Sequence, residues 1–396
     1  MKPSQEIVIV AGARTPMCRY TGPFSNTSAI ELGAAAAKEA LRRAGADATE
    51  IGHVVFGNVM QTSADAIYGA RHVGLKAGIP VATPAVTVNR LCGSGVEAII
   101  QGAHRLLLGE AKTVLAGGME NMTQAPFVIR GARTGLKLGG GQLEDSLMAG
   151  LTDSYCGCSM SDTAENLAVE YSISREACDE FALRSQQLAD AAAKACRLKE
   201  EIVAVEVKAG RKTQLVSEDD HRRPETTIET LRALPPAFRK DGVVTAGNAS
   251  GIVDGAAAVV MTTAENAKAR GWKPMGRIVS WAVAGVEPRI MGIGPVPASQ
   301  MALRDAGLKI DDMDLIEVNE AFAAQYLAVE KGLGLNREKV NVNGGAIALG
   351  HPLGATGARI TLTLLCELRR RGARYGLATA CIGGGQGIAM IVESVR

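Results

Sequence analysis

One folding plan occurs twice in this sequence. Near the N-terminus, Ala40-Leu41-Arg42-Arg43-Ala44-Gly45 is followed by Ile51 and then by Val54-Val55-Phe56-Gly57-Asn58. In the last third, Ala302-Leu303-Arg304-Asp305-Ala306-Gly307 is followed by Met313 and then by Leu315-Ile316-Glu317-Val318-Asn319. Each copy reads as a helix, a glycine stop and a buried strand. The match continues downstream. The turn at Cys92, the helix after it and the strand Thr113–Ala116 correspond to the turn at His351, the helix Gly354–Arg371 and the strand Gly376–Thr379. Two copies of one β/α unit imply a pseudo-twofold pair of sheets with helices around them. Cys92 and His351 then hold equivalent turns, and the pseudo-twofold axis brings both toward one central site.

The remaining segments fit around this plan. Ile7–Val10 reads as a buried strand, Ser28–Ala44 as a helix capped by Ser28, and His53–Val59 as a strand. Asn121–Ser250 differs in composition. It carries Gly139-Gly140-Gly141, an amphipathic helix over Arg175–Lys194, a charged strand over Ile202–Lys208 and the break Leu234-Pro235-Pro236. It reads as an inserted, loop-rich cover of the kind that binds substrate on a rigid scaffold. The small apolar run Ala249–Thr262 returns the chain to its first core, and Lys273-Pro274 opens the second copy. The expected units are therefore residues 1–120 completed by 251–272, an insert over 121–250, and 273–396. At 396 residues the chain exceeds one typical domain.

Composition removes several function classes. A net charge of +2 gives no general field for nucleic acid. No apolar run reaches about 18 residues, and no signal core or arginine-rich presequence precedes Ile7, so neither membrane insertion nor export is expected. The eight cysteines, at 18, 92, 156, 158, 178, 196, 366 and 381, are neither dense nor regular. That argues for a reducing compartment, the cytoplasm or alternatively a mitochondrial matrix. Cys156-Gly157-Cys158 lacks the second pair that a zinc site needs, so no metal is expected.

Four stretches look unlike scaffold. In Asn89-Arg90-Leu91-Cys92-Gly93-Ser94-Gly95 a cysteine stands between a strand and a helix, where free amides and the helix dipole favour a thiolate. In Val318-Asn319-Glu320-Ala321-Phe322 polar residues interrupt the end of a buried strand, with Asn319 also suited to cap the next helix. In Gly350-His351-Pro352-Leu353-Gly354 a histidine sits at a turn among glycines and a proline. In Cys381-Ile382-Gly383-Gly384-Gly385 a second cysteine opens onto glycine amides. No Gly-Lys-Ser/Thr follows it, which excludes a P-loop.

These four stretches, in this order and over essentially the whole length, resemble the thiolase family, the 3-ketoacyl-CoA thiolases and acetyl-CoA acetyltransferases. The resemblance implies an α/β thiolase fold, with duplicated βαβαβαββ units in five αβαβα layers and an inserted loop domain. It implies a homotetramer built as a dimer of dimers. Coenzyme A thioesters serve as substrates, and no cofactor is held permanently. Residue by residue, it implies Cys92 as the acylated nucleophile and His351 as the group that takes its proton. It implies Cys381 as the second acid/base and Asn319 as the holder of a water in one oxyanion site. The amides of Cys92 and Gly383 form the other. Arg223, Thr226 and Ser250 match coenzyme A contacts, Ala246 lies where the pantetheine arm passes, and Met160 belongs to the same binding surface.

The chemistry of these residue types agrees. Cleaving a carbon–carbon bond beside a β-keto group needs a nucleophile that is also a good leaving group, and a thiolate is both. The carbanion left behind needs an acid/base that is not the acylated residue. Each oxyanion needs preorganised donors, worth about 3 kcal/mol apiece in related sites. The expected reaction is acyl-CoA + acetyl-CoA ⇌ 3-oxoacyl-CoA + CoA, on short to medium chains including acetoacetyl-CoA. The rivals are a decarboxylating ketoacyl synthase, which commonly carries a second histidine, and a non-catalytic acyl-CoA-binding homologue, which normally lacks one of the four groups. One departure concerns chain length. Ser159 precedes Met160 where short-chain biosynthetic members usually carry His and many degradative ones Pro. Other stretches, among them Leu143-Glu144-Asp145-Ser146-Leu147, lean toward the mitochondrial type.

Overall fold

The computed structural model describes residues 1–395. Most of its strands form one large mixed sheet. From one edge inward run Leu315–Val318, Tyr375–Ile382, Gln386–Ser394 and Gly276–Gly285. Then Ile7–Arg14, Val253–Thr263, Thr113–Glu120, His53–Gly57 and Ala85–Val88 lead to the other edge. The order mirrors itself about the join between Ile7–Arg14 and Gly276–Gly285, as the duplication requires. That join is only two residue pairs long, Val8 with Arg277 and Ile9 with Gly276. The pair of sheets expected from the sequence is thus one sheet with a narrow waist. The two halves differ at their outer edges. Ala85–Val88 is a full parallel partner of His53–Gly57, whereas the second half has only an isolated bridge from Ile316 to Val340 there.

Helices lie outside and between the halves. Ala29–Ala44 starts on a capping box, with Ser28 and Glu31 satisfying each other's backbone N–H, and stops at Gly45 in the left-handed region. Its buried face, with Ile30 and Leu32, packs against Val8, Phe56 and Val260 on the outside of the first half. Ala323–Leu333 and Pro295–Ala306 cover the outside of the second half around Ile316, Leu377 and Ile391. Ser94–Leu107 and Leu353–Arg371 fill the space between the halves, where Val96, Ile99 and Ile360 meet Val259 and Met390. Helix, sheet, helix, sheet and helix therefore stack in five layers.

The two central helices touch backbone to backbone. A Cβ at Gly95 would strike the backbone nitrogen of Ala358, and a Cβ at Gly357 would strike that of Val96. Only glycine permits this approach, and it fixes how the helix starts after Cys92 and His351 sit relative to each other.

The insert is tied to this frame by buried charge. Arg14 is fully buried and pairs with Glu201 at 2.9 Å and Asp219 at 2.7 Å. Glu201 also accepts from Thr363 Oγ1 on the central helix at 2.8 Å. The charged strand expected over Ile202–Lys208 runs instead over Val205–Ala209, paired with Lys212–Val216. Ile202 and Val203 are occupied elsewhere: Ile202 bridges to Arg14, and the Val203 N–H donates to the Arg14 carbonyl at 2.7 Å.

Candidate active site

Local bonding builds the turn at Cys92. Asn89 Oδ1 accepts the Leu91 N–H at 2.9 Å, and Leu91 takes a left-handed φ of 45°. Ser94 Oγ accepts the Arg90 N–H at 2.9 Å and donates to the Leu91 carbonyl at 2.7 Å. Cys92 is buried just ahead of the helix, with its sulfur against its own amide and that of Gly383. Burial nevertheless pushes the thiol up to about 11, against the pull of those two amides. The thiolate expected from the helix start is therefore corrected. Desolvation outweighs the amides, so the resting group is a thiol that needs a base.

That base is available in the other half. Gly350, at φ 90°, and Pro352 hold the His351 turn, and the His351 N–H donates to the Gly251 carbonyl at 3.0 Å. Thr356 Oγ1 lies 2.6 Å from His351 Nδ1 and donates its one proton to the Pro352 carbonyl at 3.0 Å. Nδ1 must therefore carry the imidazole proton, which makes Nε2 the acceptor nitrogen. Burial and the Arg359 guanidinium pull His351 down to about 3, so the ring is neutral at working pH.

Asn319 Nδ2 sits 3.3 Å from His351 Nε2, while Asn319 Oδ1 is buried without a partner. The capping alternative for Asn319 does not hold. Helix Ala323–Leu333 starts after Phe322, and the Asn319 side chain faces His351 instead. Cys381 is fully buried at the end of Tyr375–Ile382, packed with Met291, Ala321, Met160 and Phe322. Burial, with Cys92 adding to it, holds its thiol well above the ordinary range.

Two cavities meet these residues. The first, of about 200 Å³, is lined by Cys92, His351, Met160, Ser250, Met291 and Phe322 among others. Asn319, Cys381 and Gly383 stand in its wall rather than on its surface. Cys381 touches it through Met291, Ala321 and Phe322, and Gly383 lies under Met160, whose Sδ would be 3.2 Å from a Cβ there. The second cavity, of about 210 Å³, is lined by Arg223, Thr226 and Ala246 with His221 and Gln186. Gln186 Oε1 accepts the Arg223 N–H at 2.9 Å, and the Thr226 hydroxyl donates to the Arg223 carbonyl at 2.8 Å. Residues 246–250 run from the second cavity to the first. Ala249 there bridges to Phe322, and the Ser250 N–H donates to the Ala321 carbonyl at 3.0 Å. Ser159 lines the first cavity, but its hydroxyl is used as the cap of helix Met160–Glu170, donating to Asp162 at 2.6 Å. Among the described residues, no group of three or more His, Cys, Asp or Glu side chains is arranged to hold a metal ion. No helix among them is long and apolar enough to cross a membrane.

This combination of fold and site has known counterparts. Residues 7–265 match the thiolase N-terminal domain, and residues 272–394 match the thiolase C-terminal domain. The chain belongs to the thiolase family. It is 53% identical to the mitochondrial 3-ketoacyl-CoA thiolase of Homo sapiens over 98% of both chains. It is 50% identical to an acetyl-CoA acetyltransferase of Rhizobium meliloti, also over 98% of each. The crystal structure of human mitochondrial 3-ketoacyl-CoA thiolase in complex with CoA superposes with a TM-score of 0.97, at 52% identity and 100% coverage of both chains. The family and the layered α/β architecture expected from the sequence are thereby borne out.

Two carboxylates of this thiolase site escaped the sequence reading. Glu120, fully buried, accepts from Asn58 Nδ2 at 2.9 Å and from the N–H groups of Val59, Met60 and Gly354 at 3.1, 3.0 and 2.8 Å. Burial pushes it up to about 7, with those backbone amides pulling the other way. It joins the first half to the helix start behind His351. Glu320, beside Asn319, accepts from Ser185 Oγ at 2.7 Å, Asn341 Nδ2 at 2.8 Å and the Ile347 N–H at 3.1 Å. The available signal was a carboxylate at or just beyond the end of a buried strand, since a charge is left there only where donors await it.

Proposed function

We propose that this chain catalyses acyl-CoA + acetyl-CoA ⇌ 3-oxoacyl-CoA + CoA through an acyl-enzyme on Cys92. The observation that carries the reading is the single cavity onto which a buried thiol and a neutral imidazole from opposite halves both open, with a second buried thiol in its wall. His351 Nε2 takes the Cys92 proton as sulfur attacks the acyl-CoA carbonyl, and returns it to the departing coenzyme A sulfur. The carbonyl oxygen is received by the amides of Cys92 and Gly383. Acetyl-CoA then occupies the site, and Cys381, its own thiol proton first given up to solvent, removes a proton from the methyl group as a thiolate. The resulting carbanion attacks the acyl-enzyme carbonyl and expels the Cys92 thiolate, to which the proton on Cys381 passes. A water that gives one proton to Asn319 Oδ1 gives its other to the thioester oxygen of acetyl-CoA and so completes that oxyanion site.

Coenzyme A spans the two cavities in this reading, with its phosphates toward Arg223 and its pantetheine arm along Ala246 to Ser250. The unit boundaries 1–120 with 251–272, 121–250 and 273–396 describe the same division of labour between frame and cover. Short to medium acyl chains suit a small apolar pocket. We further propose a homotetramer, for which the exposed Leu136, Leu138 and Leu143 of the insert offer apolar surface. A reducing compartment, cytoplasm or mitochondrial matrix, suits eight free thiols. The deciding experiment is intact mass after addition of acetyl-CoA. The wild-type chain gains one acetyl group and the Cys92→Ser variant gains none; full acetylation of the variant would refute the assignment.

A further inference from the structure

The Cys156-Gly157-Cys158 motif has no part in the mechanism above, yet it stands at the edge of the substrate cavity. A short antiparallel hairpin pairs Thr152 with Ser159 and Asp153 with Cys158. Gly157, at φ 70°, turns its tip, and its N–H donates to the Asp153 carbonyl at 2.9 Å. The turn brings the two cysteines together, with Cys158 Sγ donating to the Cys156 carbonyl at 3.7 Å. Both are half-buried beside the fully open Tyr155, within reach of a small molecule. Asp153 Oδ1 accepts the Tyr155 N–H at 2.8 Å, while its other oxygen is buried and unpartnered beside Cys156. That oxygen is positioned to receive a thiol proton. Among the described residues, no group of three or more His, Cys, Asp or Glu side chains that includes the pair is arranged to hold a metal ion.

We propose that Cys156 and Cys158 form a redox-active dithiol that a small-molecule disulfide such as oxidised glutathione converts to an internal disulfide, altering the substrate cavity next to it. One thiolate attacks a sulfur of the disulfide and releases one small thiol, giving a mixed disulfide. The neighbouring thiolate then attacks the protein-bound sulfur and releases the second small thiol. Two protein thiols are oxidised, one disulfide is reduced to two thiols, and the two protons pass to the departing sulfurs, by way of Asp153. Disulfide sulfurs must approach to about 2.05 Å, so closing the bridge removes the Cys158 thiol from the Cys156 carbonyl and tightens the tip. The displacement is handed on directly. Ser159 follows Cys158 and caps the helix that begins at Met160, and both residues line the cavity that holds Cys92.

The coupling to the cavity rests on the thiolase reading, whereas the dithiol chemistry does not. The test uses the full-length Cys196→Ser protein, which lacks the one exposed thiol, and oxidised glutathione as the probe. Intact mass should fall by two hydrogens, and peptide mapping after alkylation should place the link between 156 and 158. The apparent KM for a 3-oxoacyl-CoA should rise and return to its starting value with dithiothreitol. In the Cys156→Ser,Cys196→Ser protein neither the mass loss nor the KM change should occur. Both thiols remaining alkylatable, or a glutathione adduct persisting on either, would overturn the dithiol. A formed bridge with an unchanged KM would overturn its coupling to the cavity, and both readings are distinct from loss of acetylation at Cys92.

Discussion

The two halves of the sheet place side chains at matching stations and use them differently. In the first half Gly57 stands opposite Gly118, and in the second Val318 stands opposite Thr379. Asn58 and Glu120, one and two residues beyond the first pair, therefore correspond to Asn319 and Cys381 beyond the second. In the first half these stations are sealed: Asn58 donates to Glu120, and three backbone N–H groups saturate the carboxylate. In the second, Asn319 Oδ1 has no partner and the Cys381 thiol packs against Met291, Ala321 and Phe322. The same holds one layer away. Ser94 and Thr356 each precede a glycine of the central crossing and each donate back to the turn. Ser94 accepts a backbone N–H, however, whereas Thr356 accepts His351 Nδ1. A duplicated scaffold thus yields one site rather than two. One copy is hydrogen-bonded shut and supplies rigidity, while the other keeps its corresponding groups free for substrate.

The sharpest break in that comparison is at Cys381. Cys381→Ser should leave acetylation of Cys92 intact by mass while condensation and thiolysis fall by roughly 10²–10⁴-fold, the range for loss of a general acid or base. Normal turnover would remove the second thiol from the chemistry. Asn319→Ala should lower kcat by about 10²-fold, the scale for one oxyanion partner, again with acetylation preserved.

At the corresponding station of the first half the effect should fall on folding instead. Glu120→Ala strands three backbone N–H groups and the Asn58 amide in a fully buried place. Removing one side of a buried charged network costs about 3–5 kcal/mol, to be read from the shift in a urea unfolding curve. An unfolding midpoint near wild type would show that the first half is not held by this carboxylate.

His351 adds a test by pH. Its folded value, near 3, lies below the ordinary 6.5 of an exposed imidazole, so the folded state favours the neutral ring. The associated stability is complete above pH about 6.5 and is lost as pH falls toward 3. Between pH 7 and 5 the wild-type chain should therefore lose more stability than His351→Gln, which keeps the acid response of His221 but not this one. Equal slopes would mean that His351 is not held neutral by its surroundings.

What the sequence made legible follows the same division. The Cys92, Asn319, His351 and Cys381 stretches announce themselves because glycine, proline and polar residues break apolar runs there, and the repeat sets them in register. Glu120 did not, because three of its four partners are backbone N–H groups, which have no signature in residue type, and Glu320 did not, because its side-chain partners Ser185 and Asn341 lie far from it in sequence. The narrow join at Val8 and Arg277 was equally silent, since strand adjacency across 269 positions depends on how the helices between the halves pack. The protonation of Cys92 was misread for a related reason. Helix-start amides are visible in a sequence, but the depth at which they lie is not.

The finest test compares the two asparagines for stability alone. Asn58 Nδ2 is bound to Glu120 at 2.9 Å and to the Met119 carbonyl at 3.2 Å, so Asn58→Ala removes two hydrogen bonds at a buried place and leaves both acceptors short. About 1–2 kcal/mol should be lost. The Asn319 side chain makes one long contact, to His351, and its Oδ1 already lacks a partner, so Asn319→Ala gives up little and also removes an unsatisfied buried atom. Its unfolding midpoint should stay within error of wild type while its turnover falls, the reverse of Asn58→Ala. Two asparagines at one station of a repeated unit would then separate stability from activity. Equal destabilisation by both variants would mean that the second half is as tightly bonded as the first, and that the openness at Asn319 does not distinguish them.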